Sequence, residues 1–185
     1  MLRKTLLLPA ALWFFHHPAP AQTLTLTAAD PRAVKGTKTV LGVKYTNCYL
    51  QDGSASYGLV GSVARARDEK TKRVTASILT LGNGGLGNSG RQTLYTIALS
   101  LPATLTKGAY VLKSAVDNGL VINPKGSPAE VEYVARLVTV RLTRYDGKTA
   151  SGEISGTFVL AGKAAEQPAL VVLKGVVFTD CEVIN

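Results

Sequence analysis

LVTVRLTRYDGKTASGEISGTFVL, running from Leu137 to Leu160, is the stretch whose reading decides the fold. Successive side chains of an extended strand point to opposite faces. Val138, Val140 and Leu142 therefore share one face, and Thr139, Arg141 and Thr143 the other. Tyr145-Asp146-Gly147 then supplies turn chemistry. Beyond it Ile154, Gly156, Phe158 and Leu160 alternate with Ser155, Thr157 and Val159. One side suits a core and the other suits water, which is the signature of a β-hairpin.

The same period extends in both directions. Upstream lie TLTLT (Thr23–Thr27), Lys38–Leu50, Arg73–Leu81, Gln92–Leu101 (stopped by Pro102), Ala109–Val116 and Val131–Tyr145. Downstream, Ala169–Val183 follows the polar Lys163–Pro168 segment. Only Leu59–Lys72 suits a helix as well as it suits a strand with a charged turn. Eight or so strands in regular succession predict a single-domain antiparallel β-sandwich over residues 22–185, with a β-barrel as the alternative. No internal repeat or domain boundary interrupts them.

The N-terminus reads as a secretory signal peptide over residues 1–21. Arg3 and Lys4 precede the apolar run Thr5–Phe15, and Ala19 and Ala21 form an A-x-A cleavage site. A bilayer span needs about 20 apolar residues, so this run is too short to serve as a transmembrane segment. No cysteine follows it, so a lipobox is missing. The expected destination is the periplasm or the exterior. A domain of 164 residues, 22–185, remains, large enough to bury about 70% of its unfolded surface. Loss of Arg3 and Lys4 lowers the formal charge from +9 to +7. Such a surface favours acidic partners: anionic envelope polysaccharide, lipid headgroups, nucleic acid, or another, acidic, envelope protein.

His16, His17, Trp13 and Met1 all lie in that leader, so the domain has no His, Trp or Met. Ser-His-Asp and Cys-His nucleophile systems are thereby excluded, as are zinc sites built on imidazole. The expectation is a protein without catalytic, cofactor or metal site. Two cysteines remain, Cys48 and Cys181. An even count in an exported chain predicts a disulfide. Across a loop of this length the entropy model assigns it about 4–5 kcal/mol. Two buried free thiols are the alternative.

LGNGGLGNSGRQT, Leu81–Thr93, contains a literal G-x-G-x-x-G at Gly82, Gly84 and Gly87. A phosphate-binding glycine loop needs a helix after it, whose N-terminus faces the pyrophosphate, and an acidic residue about 20 positions on. Arg91–Ile97 alternates like a strand, and Ala109–Lys113 carries no acid. The stretch therefore predicts a hairpin connection at the rim of the sandwich and no nucleotide site.

Glycoside hydrolysis needs only two carboxylates and survives the absence of histidine. Glu130, Glu132 and Glu153 are the candidates for a carboxylate-dependent glycan-active enzyme, set against exposed charges near strand ends. Asp52, Asp117 and Asp146 read as turn residues. The densest positive cluster is Arg65, Arg67, Lys70, Lys72 and Arg73. It reads as a patch that grips a sulfated or phosphorylated surface, or as a solvated hairpin tip partly cancelled by Asp68 and Glu69. A strand-adding partner domain, marked by an uncovered edge strand, is a third possibility.

Thr139–Val183 carries Tyr145-Asp146, Ser155-Gly156-Thr157-Phe158, and Gly175, Phe178 and Asp180. With Gly108 and Tyr110 upstream, this pattern resembles small exported proteins of unknown function, often lipid-anchored, from Gram-negative bacteria. They share a YD-type turn, an SGTF strand and a final G-x-F-x-D strand. The resemblance covers the last 90 or so residues and implies an antiparallel β-sandwich with no known activity. This chain departs from them in lacking the anchor cysteine and in having Cys48 and Cys181.

Overall fold

The Leu137–Leu160 hairpin is the centre of the structure. In the computed structural model, strand β10 (Val131–Tyr145) runs antiparallel to β11 (Thr149–Leu160), pairing Val138 with Gly156 and Val140 with Ile154. Residues 22–34, 46–83, 92–113, 117–127, 129–162 and 167–185 are described, with the backbone alone at 39–40 and 43–44. The proposed leader and the glycines Gly84 and Gly87 lie outside them.

From β11 the pairing passes to β12 (Leu170–Ile184), then to β1 (Thr23–Ala28), β4 (Cys48–Asp52) and β5 (Ala55–Arg67). It continues through β6 (Val74–Gly82), β7 (Leu94–Pro102) and β9 (Gly119–Asn123) and returns to β10. Where β4 begins, β12 reaches past it to pair directly with β5, Glu182 opposite Ser62. β8 (Gly108–Lys113) pairs with β10 alone, so among the described residues its other edge is unpaired. A separate two-stranded ladder joins β2 (Thr39–Val40) to β3 (Val43–Lys44).

The fold is all-β and sandwich-like, with hydrogen bonding carried around one core. Three details depart from the sequence reading. The sheet is mixed, because β1–β12 and β12–β5 are parallel. The five-residue β9 is additional; its LVIN run is too short for period alone to separate it from a turn. Leu59–Arg67, ambiguous in sequence, is strand, because Leu59, Gly61 and Val63 alternate onto the core. None of the described elements is a helix, so none is a helix long and apolar enough to cross a membrane.

The core is a single cluster that includes Leu26, Leu50, Leu59, Leu79, Ile97, Leu120, Val140, Ile154, Phe158 and Phe178. In β12 the buried residues are Val171, Leu173, Val176, Phe178, Cys181 and Val183. Strict alternation would not bury this set. The register shifts opposite Gly156 and Gly152 place one extra residue in β12 each time. Gly175 (φ 61°) and Asp180 (φ 52°) stand at these bulges in left-handed conformation. Each bulge resets the inward face by one residue.

The expected Cys48–Cys181 disulfide is not formed; both side chains are free thiols, fully buried in this core. They act as small apolar fillers. Sγ of Cys181 lies 2.5 Å from where a Cβ on Gly61 would stand, and Cys48 pairs with Leu59 and Phe178. Burial raises both thiol pKa values, that of Cys181 to about 12, and the Cys181 sulfur adds to the effect at Cys48. The thiolate is the reactive form. Thiol reagent is therefore expected to count two thiols in the unfolded, unreduced protein and almost none in the native one; zero after unfolding would restore the bridge.

Candidate functional site

Strand direction gathers the basic residues. β5, β7, β10 and β12 all end at one pole of the fold. That pole consists of the β5–β6 loop (Asp68–Arg73), the β7–β8 loop (Ala103–Lys107), the β10–β11 turn (Asp146–Lys148) and the C-terminal residues. Val183 N donates to Lys148 O, tying the C-terminal strand into the same pole. All five residues of the sequence-derived patch are there, joined by Lys107 and Lys148 from the other two connections.

The five are not equivalent. Leu59, Gly61 and Val63 form the inward row of β5, and Arg65 is next in that row. Its Nη2 donates to the Tyr145 hydroxyl at 2.6 Å. Arg67 bends over the hairpin, with Nη1 donating to Lys72 O at 3.0 Å. Lys70, Lys72 and Arg73 stand exposed on the loop. Lys72 carries φ 57°, a conformation that the tight loop imposes.

Two carboxylates at this pole, Asp68 and Asp146, are turned onto their own loops, while Glu69 stands exposed beside Lys70. Asp68 accepts from Thr71 N (2.6 Å), Thr71 Oγ1 (2.8 Å) and Lys70 N (3.1 Å). Asp146 accepts from Thr149 N (2.7 Å), Lys148 N (2.9 Å) and Thr149 Oγ1 (3.1 Å). Backbone N–H donors, led by Thr71 for Asp68 and Thr149 for Asp146, hold both carboxyls below the usual range. Asp180 accepts from Arg144 on the outer face of the same pole.

Arg65, Ala103, Thr104, Leu105, Tyr145, Asp146 and Gly147 line an open concavity of about 520 Å³ at this pole. Leu105 is buried and closes it toward the core. The sequence had marked Arg65 but not Tyr145 or Thr104. A usable signal lay in β5, where an inward row of Leu, Gly and Val runs on into arginine.

The opposite pole has a different polar closure that the sequence did not reveal. Asp52, read as a turn residue, accepts a 2.6 Å hydrogen bond from the hydroxyl of buried Tyr95. Tyr57 packs edge-on to Tyr95, with ring centroids 4.9 Å apart. Burial, then the Asp52 carboxylate, raise the Tyr95 pKa. Asn83 locks the base of the glycine hairpin by accepting from Tyr95 N at 2.7 Å and donating to Thr93 O at 3.2 Å. Gly82 closes β6 and pairs with Thr96 of β7 across the hairpin, and the rest of the glycine stretch, 84–91, lies outside the described residues.

Glu130 and Glu132 stand exposed two residues apart where β10 begins, but Glu153 is not brought to them. Glu153 pairs with Arg141, nine positions along β10 from Glu132. At about 3.3 Å per residue that is roughly 30 Å, far beyond the separations of about 5–10 Å that glycosidases use. Asp117 and Glu132 line one shallow outer groove of about 230 Å³. Val121 is the partner of Glu132, so strand rise sets Asp117 about 13 Å along the sheet from it.

Fold and site together define a class: a sandwich-like all-β domain with one strongly basic pole. Comparison with protein-family models, curated proteins and solved structures finds no match to the chain.

Proposed function

We propose that this is an exported protein acting without catalysis, a binding module of the bacterial cell envelope whose basic pole grips polyanionic polysaccharide or lipid headgroups. The observation that carries the reading is the collection of Arg65, Arg67, Lys70, Lys72, Arg73, Lys107 and Lys148 at one pole, where Asp68 and Asp146 are turned onto their own loops. Clustered like charge of this kind focuses the field and attracts anionic surfaces. The signal-like leader and the resemblance of Thr139–Val183 to small exported proteins support the envelope as its place.

The test is retention on heparin and on anionic vesicles. Reversing Lys70, Lys72 and Arg73 to glutamate is expected to weaken binding at least tenfold at low salt, since about 1 kcal/mol per charge is lost near such a surface. These side chains are exposed, so stability should stay within about 0.5 kcal/mol. Retention that survives the reversal sinks the reading. Cell fractionation tests export separately.

A further inference from the structure

We propose that the concavity around Arg65 is a binding site for a phosphoryl group carried on a larger ligand. This deepens the polyanion reading and rests on it, but it assigns the recognition to different atoms from the exposed hairpin.

Four observations carry it. Arg65 has no carboxylate partner among the described residues, and the bond it makes is to a phenol oxygen, so its charge is not neutralised. That bond engages Nη2 alone and fixes the guanidinium plane. The remaining N–H groups are left as a fork of the kind that binds phosphate through two parallel bonds. Tyr145, having accepted from Arg65, keeps its own hydroxyl proton to donate. The two residues thus present unlike donors side by side, which suits a tetrahedral oxyanion with several oxygens better than a planar carboxylate with two.

The surroundings fit the same ligand. Asp146, the one carboxylate in the lining, is turned onto Lys148 N, Thr149 N and the Thr149 hydroxyl. Thr104 adds a hydroxyl at the rim and Leu105 an apolar floor. At about 520 Å³ the space holds a phosphoryl group and the first atoms of its carrier while staying open to the rest. Arg67 and Lys72 raise the local concentration of anions at its mouth.

The probe is inorganic phosphate, titrated into the intact domain and followed by the NMR shifts of the Arg65 side chain and the Tyr145 amide. Saturable binding is expected, weakened about tenfold or more in Arg65→Met and a few-fold in Arg65→Lys, which keeps the charge but loses the fork. Tyr145→Phe should weaken it about threefold, as loss of one neutral donor does. Circular dichroism confirms that each variant is folded; Tyr145→Phe serves if Arg65→Met is not. Reversal of Lys70 and Arg73 should leave phosphate affinity at high salt within about threefold. Vesicles of phosphatidylglycerol and a phosphorylated oligosaccharide distinguish the carriers: the true one loses affinity with Arg65→Met.

Absence of saturation up to about 50 mM phosphate overturns the site, as does acetate binding equally well or affinity unchanged in Arg65→Met. Polyanion binding through the hairpin with no phosphate binding removes this inference and leaves the functional reading standing. Phosphate binding without polyanion binding does the reverse.

Discussion

Phe178→Ala is expected to lower the unfolding free energy by about 3–5 kcal/mol, read as a fall in the urea midpoint at unchanged slope. The ring is fully buried, and its strand β12 pairs with β11, β1, β4 and β5. Its Cζ lies 2.8 Å from where a Cβ on Gly152 would stand, so the ring rests against a backbone that offers no side chain in exchange. The hole left by truncation cannot be filled from that side. Phe178→Leu, which keeps most of the volume, should cost less than half as much. A loss below about 1 kcal/mol for the alanine variant would mean that the site collapses freely, contrary to this packing.

Alkaline pH should be the second large lever. In the unfolded chain Cys48 and Cys181 ionise near pH 8.5 and Tyr95 near pH 10. In the folded chain all three are raised, Cys181 to about 12 and the other two further. The folded state therefore holds protons that the unfolded state has released, and stability falls as pH rises. With two thiols the slope reaches about 2.7 kcal/mol per pH unit between roughly pH 9.5 and 12, and Tyr95 steepens it in the upper part. Denaturant midpoints measured from pH 7 to 11 should be flat at first and then fall sharply. Cys48→Ala/Cys181→Ala should start from lower stability yet show a much shallower decline. An equal decline in that variant would assign the effect to other groups.

These two effects come from residues that the sequence reveals unequally. Strict alternation in Val138–Leu142 and Ile154–Leu160 was enough to read the central hairpin, because each run keeps one parity over its own length, before the shift that follows Leu142. In β12 the parity changes twice, at Gly175 and Asp180. Ala169–Val183 therefore reads as strand in sequence, while the burial of Phe178 and Cys181 on the same side does not follow from period two. The cysteines show the limit of counting, since what makes room for Cys181 is the absence of a side chain at Gly61.

The basic pole was half legible. A run such as RARDEKTKR shows charge density directly, and Arg65 with Arg67 already share a strand face. Tyr145 sits 80 residues from Arg65 in the chain and comes beside it because β10 shares the closed circuit of strands with β5. Asp52 and Tyr95 meet for the same reason from 43 residues apart. Pairings between distant strands carry no local signal, and each of these sites is made of one local half and one distant half.

The parallel strand at the seam bears on how the molecule is made. β12 comes last of the described strands in chain order, and it adds a further neighbour to β1, β4 and β5, which lie far before it in the sequence. Contacts of such long range form slowly, so closing the circuit through β12 is expected to trail the local hairpins, and a β12 variant such as Phe178→Ala should slow the last refolding phase most.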